Sequence, residues 1–204
     1  MQSFSEIDTT AKRASKAAGF AWGVAEEVGK NMRNLEMFGL PGVKNLNLYF
    51  KKIKKNPLEK PKKIEKKNKP IFKEFCPIYC GTLFLDNCKK LERLKLIKFC
   101  NVSYPLLLLP FLSRSSDVVG KKISVKYEKN SFLLNFDKTI FSNNINNNKI
   151  ISKAKEITIE FLENNNSFST KEWKELYKLS EETFVKETES LKKKGAGAGL
   201  TDND

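Results

Sequence analysis

Three apolar stripes at helical spacing, separated by glycines, constrain the fold of the first fifty residues. In each stripe apolar side chains recur every three or four residues, as on one face of a helix. Gly19 and Gly39 separate the stripes, and Pro41 suits the first turn of a helix. We predict three packed helices with Glu26, Glu27, Lys30 and Arg33 in solvent. The predicted inward residues are Phe4, Ile7, Ala11, Ala14, Ala18, Trp22, Ala25, Val28, Met32, Leu35, Val43, Leu46, Phe50 and Ile53.

The pattern changes after residue 70, where apolar and polar side chains begin to alternate. Residues 123–127 and 132–136 alternate on either side of a turn, which predicts a hairpin, and residues 157–161 predict a further strand. Residues 96–102 and 106–112 fit either two buried strands or a strand and a short helix, because periodicity does not separate these in short apolar runs. The second half of the chain therefore combines strands with helices.

These patterns together predict an α+β protein, with an N-terminal helical unit followed by a mixed or antiparallel sheet with packed helices. Ser169 and Glu172 have the spacing of a capping box and predict a late helix. Ten lysines and three prolines in residues 51–70 indicate an exposed, extended segment. The predicted organisation is a helical unit at 1–50, a Lys/Pro-rich linker or exposed loop at 51–70, an α+β core at 71–194 and a tail at 195–204.

The formal net charge of +14 is a weak argument for nucleic-acid binding in this chain. Only four of the 38 basic residues are arginines, and specific readers of nucleic acid favour the bidentate fork of arginine. Abundant lysine and asparagine instead indicate an AT-rich genome. We do not expect nucleic acid to be the main partner.

The absence of histidine excludes several kinds of chemistry. Ser-His-Asp and Cys-His catalysis and histidine-ligated zinc need a residue that this chain lacks. The spacing of Cys76, Cys80, Cys88 and Cys100 matches no zinc ribbon, so we predict no metal site. The sequence identifies no cofactor.

The lengths of the apolar segments predict the cellular location of the protein. The longest apolar run, residues 105–112, has eight residues, whereas a bilayer span needs roughly 20. The N-terminus lacks the apolar core of a signal peptide. We expect a cytoplasmic protein with free thiols and no membrane span.

Cys76 is the candidate catalytic residue, because it precedes Pro77 and Gly81 at a predicted bend between linker and core. A nucleophilic thiolate needs a nearby cation, helix N-terminus or base to lower its pKa. Lysines are plentiful, although histidine is missing. A buried structural thiol is the alternative interpretation.

The C-terminal tail departs in composition from the lysine-rich residues before it. Its glycines permit close backbone approach to another surface, and its acids could pair with lysines or arginines. We predict ligand or partner binding by Gly195, Gly197, Gly199, Thr201, Asp202 and Asp204. A frayed, solvated terminus is the alternative. Trp22 and Glu26 are further candidates, as the lining of a pocket in the helical unit.

Three stretches resemble a bacterial family catalogued as domain of unknown function 3726. They are residues 5–43, which begin SEIDTTAKRASKAAGFAWG, the segments CPIYCGTLFLDN and PLLLLPFLSRSS, and the terminal GAGAGLTDND. The resemblance implies a bacterial origin and brings no established activity. No catalytic residue follows from it.

The leading functional interpretation is a cytoplasmic binding or accessory protein. It would recognise a small molecule or a protein subunit, with the tail completing the site. A histidine-free enzyme using Cys76 or carboxylates is the first alternative, and nucleic-acid binding through the lysines is the second. A pocket that joins the tail, Cys76 and the turn at residues 19–27 would favour either of the first two.

Overall fold

The computed structural model describes residues 2–135, 137–143 and 150–184. The chain divides into two units, of which the first ends at Asn164 and the second begins at Asn165. The described residues contain six α-helices: α1 (Phe4–Ala17), α2 (Trp22–Met37), α3 (Gly42–Lys55), α4 (Pro77–Leu91), α5 (Leu109–Val119) and α6 (Thr170–Ser180). They contain six strands: β1 (Lys67–Asn68), β2 (Leu96–Ser103), β3 (Ile123–Tyr127), β4 (Asn130–Leu134), β5 (Ile140–Ser142) and β6 (Lys153–Phe161).

The three predicted N-terminal helices are confirmed as α1, α2 and α3. A capping box opens α1, because the Glu6 amide donates to the Ser3 hydroxyl at 3.2 Å and the Ser3 amide donates to the Glu6 carboxylate at 2.8 Å. Gly19 and Gly39 follow α1 and α2 with φ of +96° and +65°, where a side chain would be strained. Helices α1 and α2 therefore end at the positions that Gly19 and Gly39 indicated in the sequence.

The predicted inward stripe of the first two helices is wrong at three positions. Trp22 is 55% exposed, because it is the first residue of α2, and the ammonium of Lys16 lies 5.4 Å from its ring centroid. Phe4 is 47% exposed at the start of α1, and Ala14 is also exposed. Ser15 is buried in place of Ala14, since its hydroxyl donates to the Ala11 carbonyl at 2.7 Å and so needs no water.

Glu27 was predicted to face solvent, and this prediction is also wrong. Its carboxylate forms an ion pair with Arg114 of α5, and its side chain retains 23% exposure. The opposite charge from α5, distant in sequence, allows this carboxylate to lie between helices.

The six-stranded sheet is mixed, with the order β1-β2-β6-β3-β4-β5. β1 runs parallel to β2, and the other neighbouring strands are antiparallel. The predicted hairpin is β3–β4, and the predicted strand at 157–161 is the end of β6. One face carries the apolar core of the sheet, with Ile97, Phe99, Ile123, Val125, Ile157 and Ile159 at 0% exposure.

Helices α4 and α5 cover the buried face of the sheet. Phe84 of α4 stacks on Phe161 of β6, with ring centroids 5.9 Å apart. Gly81 allows α4 to lie against α5, because a Cβ at this position would stand 2.2 Å from the Cδ2 atom of Phe111. The layers are therefore sheet and helices, and the predicted α+β class is confirmed.

The apolar run that the sequence left open is helical. A short 3-10 helix at Pro105–Leu108 leads into α5, and Pro105 to Ser113 are all buried. Tyr104, with φ +41° and ψ +65°, ends the extended backbone of β2 just before Pro105. Residues 96–103 and 105–119 are thus a strand followed by helix, the second of the two alternatives.

The first five residues of the lysine-rich segment belong to α3, which ends at Lys55, so the prediction of an extended segment is wrong there. Its strand β1 joins the edge of the sheet, where the Asn68 side chain donates to the carbonyls of Glu65 and Lys98 at 2.7 and 3.0 Å. The domain boundaries at residues 50 and 70 stay predictions.

The second unit contains α6, and the predicted capping box is confirmed at its start. The Ser169 amide donates to the Glu172 carboxylate at 2.6 Å, and the Glu172 amide donates to the Ser169 hydroxyl at 3.2 Å. Phe168 and Trp173 stack with ring centroids 5.4 Å apart, and both are exposed.

Candidate functional site

A groove in the first unit brings Cys76 together with the turn between α1 and α2. Its volume is about 210 Å³, and its lining includes Gly19, Phe20, Tyr49, Lys60, Cys76 and Tyr79. The turn, α3, the lysine-rich segment and the start of α4 each contribute to it. The groove therefore joins Cys76 to the turn at Gly19 and Phe20, whereas the tail lies outside the described residues.

Aromatic rings form much of the groove. Phe20 lies 5.5 Å from Tyr79 and 6.4 Å from Tyr49, measured between ring centroids. Phe20 and Tyr49 are almost fully buried and form its floor, whereas Tyr79 is partly exposed. An apolar, flat molecule would find complementary surfaces here.

The only thiol in the groove lining is held neutral by its surroundings. Burial raises the pKa of Cys76, and the hydrogen bonds from Tyr49 and from the Tyr79 and Ile78 amides offset only part of this. The Tyr49 Oη and Cys76 Sγ atoms lie 3.0 Å apart, and burial also raises the pKa of Tyr49. A protonated thiol is a poor nucleophile, so the site favours a packing and hydrogen-bonding role for Cys76.

Lys60 supplies a positive charge at the rim of the groove. Its ammonium lies 4.1 Å from the ring centroid of Tyr79, and no ion pair to it is formed within the described residues. Of the carboxylates that share a groove lining with Lys60, Glu59 accepts hydrogen bonds from the Ile71 and Phe72 amides, and Glu65 pairs with Lys63 at 2.5 Å. Lys60 is therefore placed to receive an anionic group.

A second set of contacts holds α3 beside the groove. Glu74, whose side chain is 16% exposed, lies between the ammonium groups of Lys52 and Lys153 at 2.5 and 3.7 Å. Lys52 also lies 5.8 Å from the ring centroid of Tyr104. These charges join α3 to the residues before α4 and to β6, and so fix the position of Tyr49.

Trp22 and Glu26 lie outside the groove. Trp22 lines a separate surface depression with Asp8, Lys12 and Arg13, and the Lys12 ammonium pairs with the Glu26 carboxylate at 2.7 Å. The structure therefore does not bring these two candidates to Cys76. The tail candidates Gly195, Gly197, Gly199, Thr201, Asp202 and Asp204 lie outside the described residues.

Sequence reasoning missed the aromatic residues and the lysine of the groove. Tyr49 follows Leu46 by three residues and precedes Ile53 by four, so the helical pattern of α3 carried the signal for its burial. No local sequence pattern indicated that Tyr49 would contact Cys76, which lies 27 residues later in the chain.

Metal binding finds no support in the part of the chain described. No three Cys, Asp or Glu side chains there come together as a possible metal site. None of the described helices is long and apolar enough to cross a bilayer.

Native protein should show one fast-reacting thiol with Ellman's reagent near neutral pH, and that thiol should be Cys100. Cys76, Cys80 and Cys88 are buried, whereas Cys100 is partly exposed on the outer face of β2. The Cys100→Ser variant should lose the fast phase. Loss of the fast phase in Cys76→Ser instead would contradict the buried thiol and favour the enzyme interpretation.

Comparison with protein families matches residues 2–70 to a family described as Protein of unknown function (DUF3726). No curated protein and no solved structure matches the chain. The match spans α1 to α3 and the lysine-rich segment, and so includes Phe20, Tyr49 and Lys60 but not Cys76. Over residues 2–70 the chain is similar to the DUF3726 family, and the resemblance predicted from the sequence is confirmed there.

Proposed function

We propose that this protein binds a small anionic molecule with a flat apolar body, in the groove between the α1–α2 turn and α4. The observation that carries the proposal is the Lys60 ammonium at the rim of an aromatic groove, where it contacts the Tyr79 ring and forms no ion pair within the described residues. The anionic group would contact Lys60, and the apolar body would lie against Phe20 and Tyr79. This is the binding or accessory role expected from the sequence, with a ligand class added.

The size of the groove supports a metabolite-sized ligand. Its volume of about 210 Å³ lies below the roughly 300–1,000 Å³ of sites for drug-sized molecules. The neutral thiol of Cys76 supports binding over nucleophilic catalysis, so a histidine-free enzyme using Cys76 has weaker support.

The test uses benzoate, phenylacetate and phenyl phosphate, with neutral benzyl alcohol as the matched compound. At least one anion should raise the melting temperature saturably and bind in calorimetry, and benzyl alcohol should bind at least tenfold more weakly. In amide NMR spectra, the same anion should shift the signals of Phe20 and Tyr79.

Lys60→Gln should weaken binding of the active anion by at least tenfold, because the ammonium that pairs with it is removed. Lys62→Gln is the matched control: it removes an equally exposed charge two residues away and should leave affinity within a factor of two. Equal losses in both variants, or no binding by any of the three anions, would contradict the proposal.

A further inference from the structure

Ile71 and Phe72 form an exposed apolar tip in the segment between β1 and α4. Their side chains are 80% and 86% exposed, the highest values among the large apolar side chains in the described parts of the chain. The remaining large apolar side chains of the neighbouring segment, such as Phe75 at 4%, are mostly covered. Ile71 and Phe72 are thus exposed to solvent, although the segment mostly covers its other large apolar side chains.

The backbone of the tip is held by Glu59. Its Oε2 atom accepts hydrogen bonds from the Ile71 amide at 2.8 Å and the Phe72 amide at 3.1 Å. The backbone of Glu59 is in turn bonded to the Glu74 carbonyl and the Cys76 amide, each at 2.9 Å. The carboxylate therefore fixes the tip in a conformation that keeps both side chains outward.

Lysines surround the tip. A surface groove of about 400 Å³ beside it is lined by Ile71, Phe72 and the lysines 60, 62, 63, 67 and 69. We call this set of lysines the basic face. Of the two acids in the groove lining, Glu65 pairs with Lys63, and Glu59 is occupied by the tip amides. The surface next to the apolar tip therefore keeps a positive charge.

The chemistry of this surface fits an anionic bilayer better than a nucleic acid. An aliphatic and an aromatic side chain at one tip can both enter the boundary between headgroups and acyl chains, whereas isoleucine offers no ring for base stacking. Phe75, the other ring at this groove, is buried and unavailable for stacking. Lysines beside an apolar anchor are the arrangement that attracts phosphate headgroups.

We propose that the apolar tip and the basic face form a peripheral binding site for anionic lipid bilayers. Ile71 and Phe72 enter the interface, and the basic face contacts lipid phosphates. The site is separate from the small-molecule groove in everything except Lys60, so Lys60 is left unchanged in the tests below.

The first experiment is sedimentation with phosphatidylcholine vesicles, with and without phosphatidylglycerol. The full chain should bind only vesicles that contain phosphatidylglycerol, and less at high salt. The double variant Ile71→Ser, Phe72→Ser should reduce the partition coefficient at least tenfold. Phe141→Ser, which changes an exposed phenylalanine on the sheet, is the matched control and should leave the coefficient unchanged.

The charge requirement is tested in the same assay. The double variant Lys67→Gln, Lys69→Gln should weaken binding several-fold, whereas Lys126→Gln, Lys155→Gln, at exposed positions on the sheet, should weaken it less. Unchanged melting temperatures would show that each variant is folded.

The second experiment places a fluorophore at the tip. In Phe72→Trp, the emission should shift to shorter wavelength with anionic vesicles, beyond any shift of the parent protein, which contains Trp22 and Trp173. No binding to anionic vesicles, equal binding by the tip variant, or Phe72-dependent retention of single-stranded RNA without vesicle binding would overturn the proposal.

Discussion

Raising the pH from about 7.5 to about 10 should lower the free energy of unfolding through Cys76 and Cys80. Burial raises the pKa of both thiols in the folded protein, well above the usual value for Cys80. A folded pKa above the unfolded one gives stability that is complete below the unfolded pKa, about 8.5, and is lost as the pH rises towards the folded pKa.

Urea unfolding at several pH values, under reducing conditions, measures this slope. Cys80→Ala should be less stable near neutral pH but should lose less stability than the parent between the two pH values. Cys100→Ala is the matched control, because it replaces a cysteine that is only partly buried. Equal slopes in the parent and Cys80→Ala would show that the Cys80 thiol ionises normally in the folded state.

Gly81→Ala should lower the free energy of unfolding by about 1–3 kcal/mol. Helix propensity alone would give a gain of up to about 1 kcal/mol for this change. The new Cβ would lie 2.2, 2.4 and 2.9 Å from the Cδ2, Cγ and Cβ atoms of Phe111. Phe111 is 1% exposed, and the clash reaches its Cβ, so rotation of the ring cannot relieve it. Helices α4 and α5 would have to move apart.

Gly23→Ala is the matched control in α2. No atom lies within 4 Å of the position of its new Cβ, and its φ is not positive, so this change should be neutral or slightly stabilising. Thermal and urea unfolding of both variants measure the difference. A stabilised Gly81→Ala protein would contradict the close approach of α4 and α5.

Local patterns in the sequence predicted the structural elements that are determined by residues close together in the chain. The capping box at Ser169, the glycines after α1 and α2 and the alternation in β3 and β4 each act within a few residues, and each was predicted correctly. The errors at Trp22 and Glu27 have causes outside their own helix pattern. Trp22 stands at the end of α2, and the partner of Glu27 comes from α5.

The candidate site was predictable only in part, for a related reason. Cys76 could be singled out because it precedes a proline, which suits the start of a helix. That Lys60 lacks an ion pair within the described residues depends on where Glu59, Glu65 and Glu74 reach in three dimensions. Among the ten lysines of this segment, of which only Lys52 and Lys63 form ion pairs within the described residues, sequence alone does not indicate which one lies at the groove.

The position of β6 has a consequence for how the chain acquires its structure. β6 is the last described strand in the sequence, yet it lies between β2 and β3, and pairs Leu96 with Glu160. While the chain is being synthesised, α1 to α3 can associate early, whereas β2 and β3 must wait with unpaired edges until residues 153–161 leave the ribosome. Such distant pairing slows folding and leaves those edges open to aggregation. A chain that stops before Lys153 would therefore lack the strand that connects β2 to β3 in the sheet. It would also lose the apolar core that this sheet covers.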